Sequence, residues 1–142
     1  MISAIDTNIF LDILLPNEEF YDSSSDALQM AATLGSLVIC DIVYAELSVH
    51  FASQRECDTF LRTNEIRVQP LNQEALFLAG RKWRTYRKKG GKRTRILADF
   101  LIGAHAQIQA SRLLSRDRGF YSELFPSLRV IDPSAQTPAN GV

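Results

Sequence analysis

The chain has 142 residues, 46% hydrophobic and 23% charged, which fits one globular domain and excludes a disordered, collagenous or coiled-coil chain. Sixteen basic and sixteen acidic side chains cancel to a formal charge of zero, which argues against indiscriminate coating of nucleic acid but leaves room for a local basic surface. No apolar stretch approaches the about 20 residues of a membrane span, and two histidines are too few for a histidine-rich zinc site.

In chain order, Ile2 to Ile5 reads as a first strand ending at Asp6. Ser23 to Leu34 reads as a helix, with Asp22 or Ser23 as cap, apolar residues at helical spacing and Gly35 at its end. Leu37 to Cys40 is a second buried strand. Asp41 then caps a helix through Val43, Glu46 and Leu47. Ser53 and Glu56 have capping-box spacing and open a helix through Phe60 and Leu61. Ile66 to Leu71 is a short extended segment, weakened by Pro70. Asn72 caps a long helix towards Lys88 that Gly90 and Gly91 stop, and Arg95 to about Ala110 forms another. Arg112 to Ser115 and Arg129 to Ile131 are the last strands, with a short helix around Tyr121 between them. Strands alternating with helices predict an α/β fold with a mainly parallel central sheet flanked by helices. Residues 1–133 are expected to form this domain and 134–142 a flexible tail. Cys40 and Cys57 lack metal-like or redox-like spacing, and no basic region followed by a long apolar one opens the chain, so a reduced, cytoplasmic protein is expected.

In open α/β sheets the working site lies beyond the carboxyl ends of the strands. Asp6, Glu46 and Asp117 follow the first three apolar strands, and Asp99 lies in the helix before the third. Each acid has an ordinary alternative. Asp6 suits a helix cap or turn, Glu46 an exposed helix position, and Asp117 a strand-end turn. Asp99 is harder to dismiss. It sits between Leu97, Ala98, Phe100, Leu101 and Ile102, away from where Asp favours a helix. Its ordinary alternative is a buried ion pair with Arg95 at i−4. Gly103, inside the same helix, costs about 1 kcal/mol relative to Ala and predicts a close approach there. Four carboxylates converging would repel one another unless a cation neutralises them, and hard oxygen ligands suit Mg²⁺ or Mn²⁺ acting on phosphates.

These residues carry a family resemblance. Ala4-Ile5-Asp6-Thr7-Asn8-Ile9-Phe10-Leu11-Asp12, Ile39-Cys40-Asp41-Ile42-Val43-Tyr44-Ala45-Glu46-Leu47, Ala98-Asp99-Phe100-Leu101-Ile102-Gly103-Ala104-His105-Ala106 and Leu113-Leu114-Ser115-Arg116-Asp117-Arg118-Gly119-Phe120 resemble, in order, the four acidic segments of PIN-domain ribonucleases. The chain is most similar to the VapC-type toxins of prokaryotic toxin–antitoxin pairs, with Arg129 to Pro133 as the closing strand. The resemblance implies a three-layer PIN-like fold and Mg²⁺- or Mn²⁺-dependent endoribonuclease activity. It assigns Asp6, Glu46, Asp99 and Asp117 as catalytic and metal-binding, with Thr7, Asn8 and Ser115 supporting them. Ser115 is a mild departure, since Thr is common there. Asp6 and Asp99 would be the principal ligands, with Glu46 and Asp117 holding a second ion or orienting water. An antitoxin partner and a homodimer are implied, and the apolar residues Phe10, Leu14, Leu15 and Phe20 suit either such an interface or the core.

Arg81 to Arg95 contains nine basic residues and no acid, leaving seven basic against sixteen acidic side chains elsewhere. This asymmetry suits a phosphate backbone, with Lys89, Lys92, Arg93 and Arg95 as the RNA-contacting candidates. Trp83 and Tyr86 lie among them; they can stack on unpaired bases, though Trp83 equally suits the core. The alternative reading is a non-catalytic PIN-like module that binds RNA or protein without cutting. An aspartyl-nucleophile phosphatase would want an acid where Asn8 stands.

Overall fold

Five short parallel strands form one sheet in the order β3-β2-β1-β4-β5. The computed structural model describes residues 1–15, 17–92 and 95–135. The elements are β1 (Ile2–Ile5), α1 (Thr7–Leu14), α2 (Tyr21–Leu34), β2 (Ser36–Ile39), α3 (Asp41–Ser48), α4 (Gln54–Thr63), β3 (Ile66–Val68), α5 (Gln73–Lys88), α6 (Leu97–Gln109), β4 (Arg112–Leu114), α7 (Arg118–Leu124) and β5 (Val130–Ile131). This is the expected three-layer α/β fold. Ala4, Ile5, Val38, Ile39, Leu113 and Leu114 are all buried, as strands covered on both faces must be.

The strand order positions the site. The chain steps outward from β1 to β2 and β3, then returns to place β4 on the other side of β1. The direction of winding therefore reverses between β1 and β4, where parallel sheets open a crevice beyond their strand ends. The residues leaving those strands are Asp6 and Ser115 to Asp117.

Local chemistry sets most boundaries as expected. The Ser53 hydroxyl accepts from the Glu56 amide at 3.2 Å and Asn72 Oδ1 from the Ala75 amide at 2.8 Å, capping α4 and α5. β3 stops at Val68, before Pro70.

Four details differ from the sequence reading. The segment after Asp6 is a helix, α1, with Asp6 as its N-cap. Asp41 is the first residue of α3 and makes no capping bond; its Oδ1 accepts from the Leu71 amide instead. α2 begins at Tyr21, two residues early. α6 begins at Leu97, so Arg95 precedes the helix and Asp99 stands in its first turn. Gly103 meets the predicted close approach: a Cβ there would lie 2.5 Å from the Phe125 ring. Phe10 belongs to the core, Leu14 packs against it and Leu15 is exposed. Cys40 and Cys57 are buried and unpaired. Most of the expected tail, residues 136–142, lies outside the described residues.

Candidate active site

Asp6 is the buried centre of the site. Its Oδ1 accepts the Thr7 amide at 2.7 Å, a bond that also caps α1. Its Oδ2 accepts the Ser115 hydroxyl at 2.8 Å and the Tyr121 hydroxyl at 3.0 Å. Burial pushes the Asp6 carboxyl up to about 6, against those three hydrogen bonds, which pull it down; the nearby Glu46 charge adds a smaller upward push. The Tyr121 hydroxyl is raised well above its usual range, by its own burial first and by the Asp6 charge next. Asp6 thus carries its donors but no cationic partner among the described residues.

The supporting side chains form one network. Thr7 Oγ1 donates to Glu46 Oε1 at 2.6 Å and ties α1 to α3. The Ser115 oxygen accepts the Asp117 amide at 2.9 Å and the Asn8 side-chain amide at 3.4 Å. Asn8 Oδ1 accepts the Arg116 amide at 3.2 Å. One small hydroxyl at β4's end therefore links Asp6, Asn8 and the backbone that presents Asp117. The sequence candidates Thr7, Asn8 and Ser115 all lie in this network.

Asp99 is not the mid-helix acid that the sequence suggested. From the first turn of α6 its Oδ2 accepts the Ile96 amide at 3.0 Å, a favourable place for an acid at a helix N-terminus. The ordinary alternative weighed for Asp99, an ion pair with Arg95, is not what forms. Arg95 lies outside the helix and grips Asp117 with both terminal nitrogens, one bond measuring 3.0 Å. That carboxylate and the Phe120 ring, 4.4 Å below the guanidinium, fix Arg95 at the site's edge.

Asp6, Glu46, Asp99 and Asp117 line one open cleft of about 460 Å³, together with Thr7 and Asn8. The four elements do bring the four acids to one place. They do not form a tight cage: among the described residues no three His, Cys, Asp or Glu side chains stand ready to hold one ion. Thr7 holds Glu46, the Ile96 amide holds Asp99, and Arg95 holds Asp117.

Three contributors escaped sequence reasoning. Tyr121 marked only a short helix, and nothing local says that its hydroxyl meets a carboxylate 115 positions away. Asp12 is buried in α1 and accepts Arg116 at 2.7 and 2.9 Å and the Ser24 hydroxyl at 2.6 Å. A lone acid within Ile9 to Leu15 was the available signal. Arg116, clamped there over the Phe20 ring at 4.1 Å, holds the turn that carries Asp117. Of the basic candidates, Lys89 and Lys92 are exposed, and Arg93 lies outside the described residues.

The PIN-domain family model matches residues 4–122, from before the first acid to beyond the last. The chain belongs to the PIN-domain family. No curated protein sequence gives a significant match. Solved structures with the same fold include VapBC2 of Rickettsia felis bound to a promoter DNA fragment, at 22% identity and a TM-score of 0.71, covering 93% of this chain and 98% of that one. VapBC-1 of nontypeable Haemophilus influenzae follows at 20% and 0.69, covering 95% and 100%. A toxin–antitoxin complex from Klebsiella pneumoniae matches at 21% and 0.65, covering 92% and 97%. At these identities the likeness is one of fold.

This PIN domain has a donor set that suits a hard divalent cation. Its cleft offers four carboxylates against one imidazole, His50, and no thiol, a mainly hard-oxygen set that suits Mg²⁺ or Mn²⁺ better than Zn²⁺. The open cleft also leaves room for the waters that Mg²⁺ keeps. Among the described residues, no helix of this PIN domain is long and apolar enough to cross a membrane.

Proposed function

We propose that this PIN domain is a Mg²⁺- or Mn²⁺-dependent endoribonuclease and the toxin of a VapBC-type toxin–antitoxin pair. The observation that carries the reading is the convergence of four acids from four elements on one cleft at the switch point of the sheet. Fold likeness to toxin–antitoxin complexes supports the toxin role and an antitoxin partner; a homodimer is proposed on the family resemblance alone.

Asp6 and Asp99 would be the principal ligands, with Glu46 and Asp117 holding a second ion or orienting the attacking water. When bound, the metal supplies a lowered pKa for that water and charge stabilisation at the phosphate. The chain's own part is positioning. Ser115, Tyr121 and the Thr7 amide fix both oxygens of Asp6. Thr7 aims Glu46, while Asn8 and Arg116 brace the turn before Asp117. Arg95, Lys92, Lys89 and Arg93 would hold the RNA backbone beside the cleft.

The test is cleavage of a mixed pool of structured and unstructured RNA with EDTA, then with added Mg²⁺ or Mn²⁺. Cutting that requires the metal and disappears in Asp99→Asn supports the reading. RNA binding without cutting would favour the non-catalytic module, for which the lack of a ready three-acid cage and the occupation of Asp117 by Arg95 speak.

A further inference from the structure

We propose that the cavity between the last turns of α5 and the chain entering α6 is a nucleotide subsite, taking one base and one phosphate of single-stranded RNA. The proposal rests on reading the neighbouring cleft as an RNA-cleaving site. The cavity measures about 510 Å³, within the range of about 300–1,000 Å³ typical of small-molecule sites. Trp83, Tyr86, Arg87, Gly91, Lys92 and Arg95 line it.

Its composition selects the ligand. One wall is aromatic: Trp83 and Tyr86 lie 6.4 Å apart, centroid to centroid, with planes 23° from parallel. Both rest on the buried Phe100 at 5.3 Å, so the core fixes the wall while each ring stays half-exposed. Cations border that wall. Arg87 lies over the Trp83 ring, 5.5 Å from its centre, Lys92 lines the same cavity, and neither has an acidic partner among the described residues. A planar ring beside an anion is the chemistry of a nucleotide, with stacking for the base and cations for the phosphate.

The cavity is also built. A Cβ at Gly91 would lie 2.5 Å from the Tyr86 ring, so only glycine lets the chain close over it. The Tyr86 hydroxyl donates to the Lys92 carbonyl at 2.7 Å and secures that fold-back. Arg95 connects the subsite to the chemistry. Its guanidinium lines this cavity and grips Asp117, which lines the carboxylate cleft. One member of the pair lines each cavity, so the ion pair joins them and would place a bound nucleotide close to the bond cut.

Trp83 is the only tryptophan, so its fluorescence reports on this cavity alone. The experiment titrates the full-length protein, in EDTA, with adenosine 5′-monophosphate, a 5′-phosphorylated RNA trimer and inorganic phosphate. Saturable quenching by the nucleotide and more strongly by the trimer is expected, with none from phosphate. Arg87→Ala or Lys92→Ala should weaken it about tenfold, as loss of a charged hydrogen bond does, while Asp99→Asn leaves it unchanged. No quenching by either nucleotide probe, or quenching that neither alanine variant weakens, overturns the subsite. Metal-dependent RNA cleavage by the same preparation separates the two failures. Cutting without quenching removes the subsite and leaves the nuclease; quenching without cutting does the reverse.

Discussion

The carboxylate cleft and the basic cavity meet at a single ion pair, yet they are made in opposite ways. The cleft is assembled from strand ends and helix starts far apart in sequence. Asp6 reaches Ser115 and Tyr121 across more than a hundred residues, and each contact is buried or half-buried. The basic cavity comes from one local stretch, with Trp83, Tyr86, Arg87, Gly91, Lys92, Arg95 and Ile96 lining it and Arg87 and Lys92 exposed. The first sets negative charge around one buried carboxylate, Asp6; the second spreads positive charge over exposed side chains around two half-buried rings. The difference separates roles. A group that must hold its geometry under electrostatic strain is placed where the core holds it, and a surface that tracks a flexible polyanion is left free to adapt.

The sharpest way to break the comparison is to remove an acid. Asp6→Asn or Asp99→Asn is expected to lower metal-dependent RNA cleavage by more than about a hundredfold, since loss of a mere supporting group costs about 10–100-fold. Circular dichroism should remain native. Unchanged cutting would sink the assignment of the cleft.

Tyr121→Phe is next. It removes one donor from Asp6 and nothing from the packing around the ring. A loss of about 10–100-fold in Mn²⁺ affinity is expected by calorimetry. Equal affinity would mean that Tyr121 only fills space.

The pH dependence follows from Asp6. Its folded carboxyl is raised from 3.8 to about 6 by burial. Protons therefore compete with the metal below about pH 6, and Mn²⁺ affinity should fall about tenfold per pH unit there and level off above it. In metal-free protein the sign for stability is opposite. The folded state binds this proton more tightly than the unfolded, so Asp6's contribution is complete below about pH 4 and lost as pH rises through about 6. Affinity that is flat from pH 5 to 8 would contradict the upward shift.

Arg95→Ala has the smallest expected effect and sharpens the boundary between the regions. Freed from the guanidinium, Asp117 should bind Mn²⁺ severalfold more tightly while RNA is held more weakly. In an Asp117→Asn background the gain in Mn²⁺ affinity should vanish. A gain that persists there would trace to general charge rather than to the pair.

Much of the fold was legible because hydrophobic runs, caps and breakers are local. Asn72, Ser53 and Pro70 act within a few residues of where they stand. The four acids were legible for a different reason: their order along the chain matched a family, and parallel topology sends strand ends to one edge. What stayed hidden was pairing at a distance. The sequence offers Asp99 as Arg95's partner because it is four residues away; helix α6 starts two residues later than expected, and Asp117 takes the guanidinium instead. Tyr121, Asp12 and Arg116 were silent for the same reason, since their partners come from other elements.

The central claim is that the cleft binds a divalent cation through its carboxylates. Thermal melting in EDTA, then in excess Mg²⁺ or Mn²⁺, tests it most directly on the wild type and Asp99→Asn. A ligand that binds only the folded state stabilises it by about 2.7 kcal/mol at a hundred times its Kd. The account predicts a clear metal-dependent rise in the wild-type melting temperature that the variant lacks. No rise in the wild type, or an equal rise in both, would contradict it.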